Sequence, residues 1–270
     1  MPFTPAHVAA VLPLVGRRRP RWAVPSALVV GSMVPDVLYF IPISSHREFS
    51  HSWLGVLTLD LALGLVLVGL WRAVAAPVLR DLVPARIRAR SLVPVALSAR
   101  EWLWAVPCMV LGSVTHVAWD AFTHSDGWGV RHVPVLTDTV IRGLPAFKLA
   151  QYGSGVLGVV VVLGYAVRAL AESPPEHSAQ PLATTRERRV AWLVLGAVPV
   201  TTGLAFLVPA ALTGMPTEEL LYVVVVRGVS GLGLAATGVA LWWHTRIRPR
   251  RAPQVAAGPV PAGREAHPTR

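Results

Sequence analysis

Cysteine, lysine and acidic residues are scarce in this 270-residue chain. Its single cysteine, Cys108, excludes a disulfide framework and any thiolate-based metal knuckle. Charged residues make up only 14%, against about 25% in an ordinary soluble domain. That is too few to clothe a water-facing surface, while 53% hydrophobic content excludes intrinsic disorder. Just 14 Asp and Glu face 25 Lys and Arg, giving a net charge of +11. Such a balance suits nucleic acid only when a soluble basic face carries it, and the apolar runs leave little room for one. What remains is a polytopic membrane protein with mean hydropathy +0.54.

A bilayer core about 30 Å thick needs about 20 apolar helical residues. Six stretches qualify: Trp22–Ile43, Trp53–Trp71, Trp102–Phe122, Leu149–Val167, Val190–Leu212 and Leu220–Trp243. Tryptophans mark many of their ends, as expected of rings at headgroup level. The fold class is therefore all-α, a bundle of six transmembrane spans. Phe3–Val15 is apolar but too short to cross, and its arginines follow it, the reverse of a secretory signal. With Thr4 as N-cap and Pro5 at the first helical position, Pro5–Val15 reads as a short helix dipping into the bundle. Residues 1–246 form one membrane domain, interrupted by a polar linker at 172–189. Residues 247–270 form a disordered tail.

Sorted by connection, 20 of the 25 Lys and Arg fall on one side and 4 on the other, with Arg227 inside a span. The positive-inside rule then makes both termini cytoplasmic. The bilayer is the one partner this composition demands, and a bundle of this kind requires no partner chain.

Six of nine histidines lie in the first 132 residues, alongside carboxylates. They fall in Val34-Pro35-Asp36, in Ser45 to Ser52 with His46 and His51, and in Thr115 to His124. His116, Asp120 and His124 recur every four residues and share one helix face. At about 1.5 Å of rise per residue, His116 and Asp36 each lie about 21 Å above the cytoplasmic ends of their spans, and Asp120 about 27 Å. His51 immediately precedes the second span, so it lies at the outer surface, and His7 starts about 14 Å up from the cytoplasmic side, more with tilt or a kink at Pro13. Ionisable groups inside a membrane are costly and mark function or structural pairing.

His7, Asp36, His51, His116 and Asp120 are the candidate metal ligands. Imidazole and carboxylate without thiolate suit zinc first, then manganese or iron. Asp120, His124 and His46 are candidates for proton handling. Arg47 and Lys148 at the outer face could hold an anionic group. Asp60 and Arg227, at similar depth by the same arithmetic, read as an ion pair locking spans two and six. His132, His177, His244 and His267 lie in loops or near ends and read as solvated. Neither a P-loop nor a dinucleotide fingerprint is present.

The segments MPFTPAHVAAVLPL, PSALVVGSMVPD, FSHS and THVAWDAFTHSDGW resemble a bacterial membrane family, domain of unknown function 4184 (DUF4184), across roughly residues 1–240. That resemblance implies a multi-pass protein of the bacterial inner membrane. More loosely, the chain is similar to inner-membrane metal-dependent hydrolases. That group carries an N-terminal His, a Pro-Asp pair, a His-Arg-x-x-Thr-His-Ser segment and a His-x-x-x-Asp helix. The matching positions are His7, Pro35-Asp36, His46-Arg47 through His51-Ser52, and His116 to Asp120. Ser50 stands where that group has Thr. Val37 and Leu38 replace a second acidic residue, and together these departures make His46 a weaker ligand than His51.

The function expected from these residues is metal-dependent hydrolysis of an ester, amide or phosphoester in a lipid or lipid-linked substrate. The alternatives are metal or proton binding and transport, or a scaffold without chemistry.

Overall fold

The computed structural model describes residues 4–41, 47–91, 96–141, 143–175 and 180–250. In chain order it comprises α1 (Thr4–Leu14), α2 (Pro25–Gly31), a 3-10 segment (Val34–Phe40), α3 (Arg47–Ser50), α4 (Trp53–Leu82), α5 (Ala85–Arg88), α6 (Ala99–Thr123) and α7 (Trp128–His132). A small antiparallel pair, β1 (Thr139–Ile141) and β2 (Leu144–Pro145), then precedes α8 (Ala146–Glu172), α9 (Thr185–Leu212) and α10 (Glu219–Arg250). The protein is an all-α bundle.

Among the described residues five helices are long and apolar enough to cross a membrane: α4, α6, α8, α9 and α10. Their outer faces are greasy, with Leu103, Leu193, Leu234 and Leu212 between 69% and 83% exposed. A water-soluble bundle would bury such residues; here they suit lipid tails.

The stretch expected to form the first span is not one helix. Pro25 starts α2, and Pro35 stops it from continuing. A proline has no N–H to give to the preceding turn, and its ring crowds the carbonyl four residues back, here that of Gly31. The chain breaks at Ser32-Met33 and resumes as the 3-10 segment. With the rises of the two helix types, 25–40 reaches roughly 25 Å, close to a hydrocarbon thickness.

This broken segment crosses α6 at contact distance. A Cβ placed on Gly31 would lie 2.5 Å from the Met109 carbonyl oxygen, and one on Gly112 would lie 2.6 Å from that of Leu28. Only glycine at both positions permits the approach. Around the crossing, Val8 and Val11 of α1, Ala27 and Leu28 of α2, Val68 of α4, and Ala105 and Met109 of α6 close one core.

A second core gathers Val78 and Leu82 of α4, Ala191 of α9, and Val239, Trp243 and Ile247 of α10. Asp81 organises it. Its carboxylate accepts from Leu182 N at 2.6 Å, Ala183 N at 2.9 Å and Trp243 Nε1 at 2.8 Å. Those bonds pin the end of the polar linker just before Thr184, which caps α9 in a reciprocal pair with Glu187.

α9 and α10 form a hairpin through Gly214, whose φ of +71° suits the turn. The hairpin meets the broken segment where Ser230 Oγ donates to the Phe40 carbonyl at 2.6 Å.

Candidate metal centre

Breaking the first segment frees backbone carbonyls that an unbroken helix would have used. Gly31 O accepts from Ser113 Oγ at 3.2 Å, Ser32 O pairs with His116 Nδ1 at 2.8 Å, and Pro35 O accepts from Ser50 Oγ at 3.0 Å. These three contacts fix α6 and α3 to the break, and the candidate site lies on it.

Asp36, His51, His116 and Asp120 each direct one ligand atom into a common point, all four within 4.8 Å of one another. His51 Nε2 lies 3.3 Å from Asp120 Oδ2 and 3.8 Å from Asp36 Oδ1. His116 Nε2 lies 3.5 Å from Asp36 Oδ1 and 3.6 Å from Asp120 Oδ2. Asp36, His116 and Asp120 are 1%, 0% and 3% exposed, whereas His51 keeps 11% of its side chain open.

The hydrogen-bond network assigns the ring tautomers. A carbonyl oxygen only accepts, so His116 Nδ1 carries a proton for Ser32 O, and its Nε2 faces both carboxylates. His51 repeats the pattern. The Ser50 hydroxyl gives its proton to Pro35 O, so its oxygen accepts from His51 Nδ1 at 3.1 Å. Two ring nitrogens thus face two carboxylates in a buried space, an arrangement that positive charge between them would stabilise. The spacing favours an ion over shared protons. A charge-assisted N–H···O bond would draw the atoms to about 2.7–2.9 Å. Tetrahedral zinc, with bonds of about 2.0–2.1 Å, separates its ligands by about 3.3–3.4 Å. The four residues could hold a divalent metal ion.

The remaining partners hold these ligands in place. Thr4 Oγ1 donates to Asp36 Oδ2 at 2.7 Å, leaving Oδ1 for the centre. The expected N-cap role of Thr4 gives way to this bond, because Thr4 is itself the first residue of a 3-10 turn.

Asp120 presents its second oxygen to two further histidines, with His124 Nδ1 at 3.3 Å and His7 Nε2 at 3.5 Å from Oδ1. The His7 ring also stacks on that of His116, with centroids 3.9 Å apart. Its helix reaches that depth because Gly158 of α8 admits Ala6, where a Cβ would sit 2.8 Å from that of Ala6. Gln151 of α8 reaches His124 Nε2 at 2.7 Å, and Trp119 Nε1 donates to Ser154 Oγ at 3.1 Å. A cavity of about 30 Å³ lies among His7, Asp120, His124, Gln151 and Ser154, large enough for one water molecule.

Six of the expected site residues therefore converge: Asp36, His51, His116 and Asp120 at the centre, His7 and His124 beside it. His46 and the side chain of Arg47 lie outside the described residues. Lys148 is turned to the ring of Tyr152 on its own helix, 5.8 Å from the centroid, and not toward the cluster. The Asp60–Arg227 pair does not form among the described residues. α10 packs on α9, which sets Arg227 over the Phe206 ring at 4.9 Å. Asp60 is buried on α4, within the electrostatic reach of His116 and Asp36. Depth along separate helices could not show that these two side chains point different ways.

Thr4, Ser32, Ser50, Gln151 and Asp81 escaped the sequence reading. Ser50 was quoted in a motif as a mismatch, and its role as the partner of His51 Nδ1 had no signal without the broken helix. His244, expected at the surface, is half-buried, with Nε2 3.2 Å from the Val74 carbonyl.

Comparison with curated proteins and with solved structures returns no match. The profile of one family, domain of unknown function DUF4184, matches residues 1–242, a stretch that holds every residue of the centre. With nearly nine-tenths of its length covered, this membrane-type helical chain belongs to the DUF4184 family.

Proposed function

We propose that the chain is a membrane-embedded metalloenzyme in which Asp36, His51, His116 and Asp120 hold one divalent cation, zinc in the first instance. The observation that carries this reading is the pair of imidazole Nε2 atoms, each set 3.3–3.8 Å from two carboxylate oxygens. The reaction is hydrolysis of an ester or phosphoester in a membrane-associated substrate. A divalent metal at this position supplies Lewis acidity and lowers the pKa of a water molecule toward neutrality.

The side chains around it do the rest. The cavity beside Asp120 Oδ1 admits the water, and Trp119 with Ser154 narrows the way in. Asp120 Oδ1 is placed to accept the water's proton, and His124 Nδ1 and His7 Nε2 lie within 3.5 Å to pass it on. His7 and His124 keep 11% and 14% exposure, so a proton handed to either has a path outward. Arg47 is assigned to an anionic group of the substrate and His46 to proton handling.

In the bilayer, the broken segment makes the sixth crossing, both termini are cytoplasmic and the centre faces the outer side. Support comes from the charge asymmetry of the connections and from the near-membrane reach of residues 25–40. The site is one-sided. Inward of Asp60 the packing turns apolar, with Met109 pressed on Gly64 and Val68 fully buried, so among the described residues no chain of polar groups continues as a transport path would need.

The test uses metal-loaded protein in nanodiscs, offered phosphatidic acid and diacylglycerol. Product release that disappears in Asp120→Asn and Asp36→Asn supports the reading. Zinc uptake into proteoliposomes without any turnover would replace it with transport.

A further inference from the structure

At the end of the bundle opposite the metal centre, two cavities join. One is an apolar groove of about 1030 Å³ between the broken segment, α4 and α10, lined by Val29, Val30, Met33, Leu67, Ala236 and Leu241 among others. It lies where the α9–α10 hairpin stands away from the first core. At the upper end of the usual 300–1,000 Å³ for small-molecule pockets, it has room for an extended chain (about 1,000 Å³ being the customary limit).

The second is a vestibule of about 1010 Å³ at the start of α2 and α6. Arg17, Arg19, Arg21, Arg72, Arg80 and Arg100 line it, against the single carboxylate of Glu101. Glu101 is already engaged by the N–H and hydroxyl of Ser98 at 2.8 Å each, and Arg17 by the Glu172 carbonyl at 2.8 Å. Arg80 Nε is buried with no hydrogen-bond partner among the described residues. Both cavities share Pro25, Ser26, Trp71 and Arg72, so the apolar groove opens directly into the basic vestibule.

We infer that this joined cavity binds an anionic phospholipid, its phosphate held by Arg72, Arg80 and Arg100 and an acyl chain lying in the groove. Charge and shape select that occupant together. A soluble anion has no use for the groove, and a lipid without net negative charge leaves six arginines set against one carboxylate. The vestibule is separate from the metal centre, because Glu101 and His116 are about 22 Å apart along α6, while the groove runs up to Met33 and Val37 on either side of Asp36. Its contact with the broken segment puts the lipid against the element that positions Asp36.

Binding is measured by native mass spectrometry on the full chain in zwitterionic detergent, with His116→Ala as the parent so that the probe is not consumed. Dioleoylphosphatidylglycerol should bind about tenfold or more tightly than dioleoylphosphatidylcholine. Arg72→Gln and Arg100→Gln should each weaken it about fivefold. Ala236→Trp, which fills the groove, should weaken both lipids, whereas Leu234→Trp on the lipid-facing side of α10 should change neither. Equal affinity for the two lipids, unaltered binding by the arginine and Ala236→Trp variants, or displacement by equimolar inorganic phosphate overturns the inference. None of these outcomes bears on hydrolysis, which the parent variant lacks.

Discussion

Asp81 and Asp120 are both buried carboxylates near helix ends, 7% and 3% exposed, yet their surroundings are opposite in kind. Asp81 receives three N–H donors at 2.6–2.9 Å from the linker and α10, so its charge is neutralised by bonds the fold itself supplies. Asp120, with Asp36, faces the Nε2 atoms of two imidazoles whose Nδ1 atoms are engaged by Ser32 and Ser50. The first is a completed latch; the second is an arrangement that could hold a cation. A buried carboxylate alone says little about function, and the direction of its neighbours' protons says much more.

Each variant that separates latch from centre sharpens that contrast. His116→Ala should have the largest effect, removing bound metal and activity together while the bundle still assembles, checked by elemental analysis and circular dichroism. Asp81→Ala should do the reverse. Three buried donors lose their acceptor at about 1–3 kcal/mol each, so unfolding free energy should fall by about 3 kcal/mol or more with metal content unchanged. Chelator treatment distinguishes the two without mutation. It should lower the melting temperature of wild type and of Asp81→Ala, and leave that of His116→Ala where it was.

Ser50→Ala and Thr4→Val come next. Each removes a bond that orients a ligand, so metal affinity should fall about 10- to 100-fold in competition with a fluorescent chelator, with the ligands themselves intact. Arg227→Gln should have the smallest effect. A cation–π contact is worth about 0.5–1 kcal/mol at an exposed site, and neither metal content nor turnover should move. A loss of metal in Asp81→Ala, or normal metal in His116→Ala, would erase the contrast.

Much of this was legible in the sequence. The apolar runs gave the long helices, because length and composition alone decide whether a helix can cross lipid. The i, i+4, i+8 spacing of His116, Asp120 and His124 placed them on one face, and their depth matched that of Asp36. Pro35 was read as a motif residue, although it is also the cause of the break in the first span. The broken segment in turn explains why Ser32 O and Pro35 O are available to hold His116 and Ser50. Rotational setting was beyond the sequence. Asp60 and Arg227 lie at matching depth, yet α10 turns Arg227 to Phe206, because helix orientation depends on packing against α9 that no local pattern encodes. Asp81 had no motif around it, and its three donors come from residues about 100 and 160 positions away in the chain.

The central claim is that the two imidazole nitrogens and two carboxylates hold a metal. Elemental analysis by mass spectrometry of protein purified without chelator, wild type beside His116→Ala, tests it most directly. About one divalent ion per wild-type chain, falling below about a tenth in the variant, is the result expected of a buried site with these four ligands. Negligible metal in both, persisting after exposure to zinc, manganese and iron, would contradict it.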